Sequence, residues 1–255
     1  MRASLIIDRI FHTLARRWLL FLNLAVALYV GLPMLAPVLM NAGLTGPATL
    51  LYRVYSPMCH QLASRSFFLF GEQIAYPREI AGSRLTPIEA FMPGLPEFAE
   101  ASADPAEWST FLWPARRFVG NEQMGYKMAL CQRDISIYAA MVAGGLVYGL
   151  LRRRGRIRPM PFWLFLLIGI GPIALDGFSQ LFSQFFVGTQ LDALARLFPL
   201  RESPPLLRSL TGALFGLSIV WLVYPRLDVQ FSITADDIGR RLAGRVEEAS
   251  DRPIV

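Results

Sequence analysis

Two cysteines and two histidines are all that this 255-residue chain offers in thiol and imidazole chemistry, so the position of each is informative. Cys59 and His60 are adjacent, and Cys131 is followed closely by Arg133 and Asp134. Thiolates together with an imidazole are ligands suited to zinc or copper. The expected metal set is Cys59, His60 and Cys131, with Asp176 or a water as the fourth ligand. The same two cysteines would form a structural disulfide in an oxidising compartment, or act as redox-active thiols. Neither C-x-x-C nor H-x-x-x-H is present, so spacing alone does not choose among the three. His60 also has a plain reading as a surface histidine. His12 falls at the opposite end of the chain's topology and takes no part.

A second set of polar residues sits where apolar ones are expected. Asp176, Gln180 and Gln184 are spaced i, i+4, i+8, which on a helix makes one stripe that should point into a bundle and away from lipid. A carboxylate within a membrane costs about 2.5 to 3.5 kcal/mol on insertion scales, so a cationic partner is expected. Arg208 is the expected partner of Asp176, with Arg133 competing. Gln61, Arg65, Asp134 and Thr211 complete the polar network. Its plainest role is to hold helices together by hydrogen bonds. The alternative is a transporter or membrane-complex subunit whose Asp176, Gln180 and Arg208 line a pathway, with Cys59 and Cys131 joined as a passive staple. A hydrolase is disfavoured: no Ser-His-Asp or H-E-x-x-H arrangement is visible, and no reaction type follows from the residues.

The elements that must position these groups are membrane helices. The chain is 54% hydrophobic and 17% charged, with a mean hydropathy of +0.41. A soluble chain carries about 25% charged residues, so much of this surface should meet lipid. The net charge of +6 comes from arginines that flank apolar runs, with Lys127 the only lysine. Such arginines set topology and do not form a nucleic-acid face. Residues 18–40 form an uncharged run long enough to cross the hydrocarbon core, too long for a cleaved signal peptide and without a cleavage site. Further spans are expected at 135–151, 161–180 and 206–224. The fold class is therefore an all-α integral membrane protein, a four-helix transmembrane bundle with additional interfacial helices. Residues 44–71, broken by Arg53, Pro57 and Arg65, read as an interfacial or re-entrant helix pair. Residues 72–123 read as a long extracytoplasmic insertion rich in proline and acids, with Trp108, Phe111 and Trp113 lying against the membrane surface.

Arg152, Arg153, Arg154, Arg156 and Arg158 form the densest basic cluster, in a short hairpin where the positive-inside rule is most reliable. They predict a multi-pass protein of the inner (plasma) membrane with both termini cytoplasmic and residues 225–255 as a charged cytoplasmic tail. Cys59, His60 and Cys131 then face outward. The lipid bilayer is the expected partner, with a membrane protein or a second copy of the chain as a further one.

Several motifs carry a family likeness: Met58-Cys59-His60-Gln61 with Arg65-Ser66-Phe67, Cys131-Gln132-Arg133-Asp134 leading to Tyr138, Asp176-Gly177 with Gln180, and Arg208 with Thr211-Gly212. Together they resemble the prokaryotic membrane-protein family known as domain of unknown function 2085, over about Ser56 to Gly216 with 72–121 as an insertion. The resemblance implies that these polar residues form one shared site. It implies no activity.

Overall fold

The structure is a computed structural model that describes residues 2–188, 196 and 198–250. Helix α1 (Arg2–Arg16) precedes α2 (Trp18–Asn41), and α3 (Thr45–Tyr55) follows after a short turn. Strand β1 (Ser66–Leu69), a run of single 3-10 turns, α4 (Trp108–Arg117), β2 (Gly120–Asn121) and β3 (Gly125–Cys131) come next. Helix α5 (Gln132–Leu151) starts directly from β3. Helix α6 runs through Phe162–Leu164, a π turn at Phe165–Ile170 and Gly171–Gly188, and α7 (Pro205–Ser250) is the last element. Four of these helices, α2, α5, α6 and α7, are long and apolar enough to cross a membrane, as the sequence predicts. Large apolar side chains along them, such as Leu24 on α2, Leu146 on α5, Leu167 on α6 and Leu210 on α7, are more than half exposed, the pattern of a bundle surface facing lipid. The protein is a multi-pass membrane protein.

Helices α5 and α7 form the tightest seam, because Gly212 and Gly216 on α7 let its backbone lie on that of α5. A Cβ at Gly212 would stand 2.6 Å from the Arg133 carbonyl oxygen, and one at Gly216 would overlap the Ile137 carbonyl. The π turn of α6 ends beside Pro172, whose ring nitrogen has no proton for the carbonyl four residues earlier. At one end of the bundle Trp18, Arg152 and Asp228 meet: Trp18 Nε1 donates to Asp228 at 3.1 Å and Arg152 pairs with it at 2.6 Å. Helix α7 continues past this end as the expected tail, and α1 packs along it through an Asp8–Arg245 pair at 2.6 Å. Residues 251–255 of that tail lie outside the described residues.

The opposite end departs from expectation in two ways. In 44–71 only the first half is α-helical, and a single 3-10 turn at Ala63–Arg65 leads into a strand. Ser66-Phe-Phe-Leu alternates buried and half-buried positions, the period of a strand, and β1 pairs antiparallel with β3 in a three-stranded sheet ordered β1-β3-β2. Residues 72–123 are also a folded unit. Phe68, Tyr76, Phe98, Phe111, Phe118 and Met124 pack into one buried cluster beneath the sheet. Phe111 is fully buried there, under the guanidinium of Arg78 at 3.9 Å, and does not lie on a membrane surface; Trp113 remains exposed. The buried Arg78 is paired with Glu89 at 2.5 Å. Aromatic burial and this ion pair order a segment whose prolines preclude long helices.

Candidate functional site

The site lies at the sheet end of the bundle and is built by two backbone devices. After α3 the chain turns sharply through Met58-Cys59-His60-Gln61, and Gln61 takes a left-handed φ of 52°. A non-glycine residue adopts that conformation only when its surroundings hold it. Here Gln61 Nε2 donates to the Tyr52 and Ala129 carbonyls, both at 2.9 Å, and its own carbonyl accepts from Lys127 Nζ at 2.6 Å. Burial lowers the Lys127 ammonium to about 7. The three carbonyls within its reach, Gln61, Arg116 and Ala115, match the three donors of an ammonium.

The second device is the strand register. Ser66 faces Cys131 across β1 and β3, which brings the end of β3 alongside the 58–61 turn. Cys59 Sγ accepts from the backbone N–H of Cys131 at 3.3 Å and of Gln61 at 3.4 Å. Cys131 caps the N-terminus of α5, and its Sγ donates to Asp134 Oδ2, three residues into that helix, at 3.2 Å. The two sulfurs and a carboxylate oxygen of Asp134 lie within 4.8 Å of one another. Both cysteines are free thiols. The adjacent Cys131 side chain, backed by the backbone donors, lowers the Cys59 thiol despite its burial; the adjacent Cys59 sulfur and burial raise Cys131 well above the usual thiol range.

The group opens onto a cavity of about 410 Å³. His60 is exposed and lines this cavity, though it is outside the three-atom group. Asp176, expected as a fourth ligand, is buried behind the cavity and already committed. It accepts from Arg133 and from Ser203 Oγ, and from Arg201 at 3.3 Å. Asp134, expected only in the polar network, is the carboxylate that reaches the thiols. The expected Asp176–Arg208 pair is not formed either. Arg208 is 5% exposed and binds Glu202 at 2.9 Å and Gln180 Oε1 at 2.9 Å, while Arg133, the competing candidate, takes Asp176. Arg65 completes the cluster by pairing with Glu202 at 3.1 Å, and Gln184 lines the cavity beside Gln180. Thr211 bonds the Leu207 carbonyl of its own helix at 2.9 Å and stays out of the cavity lining.

Sequence reasoning missed Arg201, Glu202 and Ser203, which lie just before α7. The signal was an acid one and a half turns from Arg208, held next to Pro204 and Pro205, a pair that fixes the approach to the helix.

A multi-pass bundle with a thiol, carboxylate and guanidinium cluster at one end is the class that fold and site define. Residues 122–222 match the model of the family described as "Predicted membrane protein (DUF2085)", the family that the motifs resemble. The matched stretch holds the Cys131-Gln132-Arg133-Asp134 segment, Asp176, Gln180 and Arg208; the Cys59 turn lies outside it. The chain is also 25% identical over 175 residues to "Uncharacterized protein MJ1492" of Methanocaldococcus jannaschii, covering 69% of this chain and 67% of that protein. No solved structure matches.

Proposed function

We propose that the protein carries a zinc centre in which Cys59, Cys131 and Asp134 are ligands and His60 or a water takes the fourth position. The observation that supports this reading is the convergence of three donor atoms within 4.8 Å, Cys59 from the turn after α3 and Cys131 with Asp134 from the junction of β3 and α5. Tetrahedral zinc with bonds of about 2.3 Å to sulfur and about 2.0–2.2 Å to oxygen needs its ligands roughly 3.5–4 Å apart, within that separation. A carboxylate beside the two thiolates favours zinc over cuprous copper, which selects softer donor sets. A fourth position on the cavity side is the layout of a zinc ion that binds or activates a small molecule, since structural zinc is closed by protein ligands. Asp176 anchors the arginines and is not a ligand in this reading.

The orientation follows from charge. Arg152, Arg153 and Arg154 lie at the end of the bundle where α1 and α7 emerge, so both termini are cytoplasmic by the positive-inside rule and the zinc centre faces the exterior of the plasma membrane.

Elemental analysis of the detergent-purified full chain, with thiol titration before and after chelation, tests the assignment. One zinc per chain, with two thiols that become titratable only after chelation, is expected. Less than about half an equivalent of metal with two free thiols, or a disulfide that opens only with reductant, contradicts it. The disulfide reading draws on the Cys131 N–H to Cys59 Sγ contact of 3.3 Å, which sets the two residues side by side. The transport reading of the Asp176, Gln180 and Arg208 stripe has less support, because those groups are buried and bonded to one another and to Arg133, Arg201 and Glu202.

A further inference from the structure

The cationic side of the cavity has a charge imbalance that the zinc ligands do not account for. Four guanidinium groups, Arg65, Arg133, Arg201 and Arg208, share two carboxylates, Asp176 and Glu202. Arg65, Arg133 and Arg208 line the cavity, whereas neither Asp176 nor Glu202 is among its described lining residues, so the acids back the arginines and the arginines face the space. Asp134 is the acid that does line it. With neutral thiols the group has one positive charge in excess. With two thiolates and a divalent ion the excess is the same. The surplus therefore exists whether or not a metal is present.

Arg65 and Arg133 are about a quarter exposed, at 26% and 24%, and the cavity of about 410 Å³ that they line with Arg208, Gln180 and Gln184 is a place where an anion would balance the surplus. Guanidinium forks match oxyanions, and three of them around one space suit a tetrahedral group with several terminal oxygens better than a carboxylate with two. The cavity also borders Leu181, which is 57% exposed on the apolar helix α6, so one wall adjoins the lipid-facing surface.

We propose that this cavity binds a phosphate group, presented either by a small soluble phosphate or by the headgroup of an anionic phospholipid entering beside α6. The phosphate sits against Arg65, Arg133 and Arg208, with the Cys59–Cys131–Asp134 group at the other side of the space. Zinc, where bound, stands next to the phosphate; binding of the phosphate does not depend on it.

The test is titration of metal-stripped, detergent-purified full-length protein with inorganic phosphate, dihexanoyl phosphatidic acid, dihexanoyl phosphatidylcholine and acetate, read by calorimetry and thermal stability. Saturable binding of inorganic phosphate or phosphatidic acid is expected, with phosphatidylcholine and acetate binding at least tenfold more weakly. Binding of phosphate itself identifies a soluble ligand, and binding of phosphatidic acid alone identifies a lipid headgroup. Arg65→Gln removes a partly exposed guanidinium while Arg208 still holds Glu202, and should weaken binding about tenfold, the size of one charge-assisted hydrogen bond. Gln184→Leu should weaken it less. Both variants leave the buried Arg208–Glu202 pair in place. No saturable binding of either phosphate probe, equal binding of acetate, or unchanged affinity in a folded Arg65→Gln protein overturns the proposal. Because the protein is metal-stripped, a failed zinc assignment leaves the outcome unaffected.

Discussion

Arg133 on the first turn of α5 is bound to Asp176 on α6, while the next residue, Asp134, accepts the thiol proton of Cys131. One helix turn thus faces two ways: its cation ties the third span to the second, and its acid completes the thiol group. The two roles should separate on mutation. Asp176→Ala strands Arg133 and Arg201 without their shared carboxylate and should destabilise the protein by about 3–5 kcal/mol, the range for breaking a buried pair. Asp134→Asn should leave stability within about 1 kcal/mol and lower metal retention instead. Thermal unfolding in detergent alongside metal content distinguishes them, and the reverse pattern would refute the division.

The seam between α5 and α7 rests on backbone contact at Gly216, where an added methyl group would overlap the Ile137 carbonyl. Gly216→Ala should therefore cost about 1–3 kcal/mol and displace α7 from α5. Gly155, in the basic hairpin with open space around it, should tolerate alanine with no more than about 0.5 kcal/mol of change. Comparing their unfolding temperatures checks the seam; equal effects would place α7 elsewhere.

Lys127 links stability to pH. Its folded value is about 7 against an ordinary 10.5, so between these limits the unfolded chain binds a proton that the folded chain does not. Stability should rise as pH increases through this window and be lowest below about 7, where the buried amine is charged. Between pH 6.5 and 9 the unfolding temperature should climb by about 5–10 °C, at about 1.4 kcal/mol per pH unit above 7 and about 2–4 °C per kcal/mol in a chain of this size. In Lys127→Met the climb should flatten. A wild-type curve that falls over this range would contradict the burial of the amine.

The thiols should also differ in reactivity. Cys59 is lowered by the neighbouring Cys131 side chain and by two backbone N–H groups, and Cys131 is raised, so metal-free reduced protein should be alkylated first at Cys59 near neutral pH. Cys131→Ala removes the side chain that lowers Cys59 most and should move the midpoint of Cys59 alkylation to higher pH. Peptide mapping by mass spectrometry resolves the order, and initial labelling at Cys131 would reverse the assignment.

The spans were legible because an apolar run of this length has few other destinations, and the polar stripe because Asp176, Gln180 and Gln184 share one helical face. Which carboxylate meets the thiols was not legible. It depends on the pairing of Ser66 with Cys131, 65 residues further on, in a chain where β1 has four residues, too few for a periodic signal. The core of 72–123 was hidden for a related reason: its aromatics are carried on single 3-10 turns between prolines, and their convergence follows from tertiary packing. Arg201 and Glu202 carried no periodic signal either, although Arg201 shares Asp176 with Arg133 and Glu202 pairs with Arg65 and Arg208.

X-ray absorption at the zinc edge of the purified, metal-loaded protein tests the central claim most directly. Two sulfur scatterers at about 2.3 Å with oxygen or nitrogen at about 2.0–2.1 Å, the sulfur shell falling to one in Cys59→Ser and in Cys131→Ser, is the expected result. A first shell of oxygen and nitrogen alone, or a sulfur shell unchanged by both substitutions, would contradict a centre built on these two cysteines.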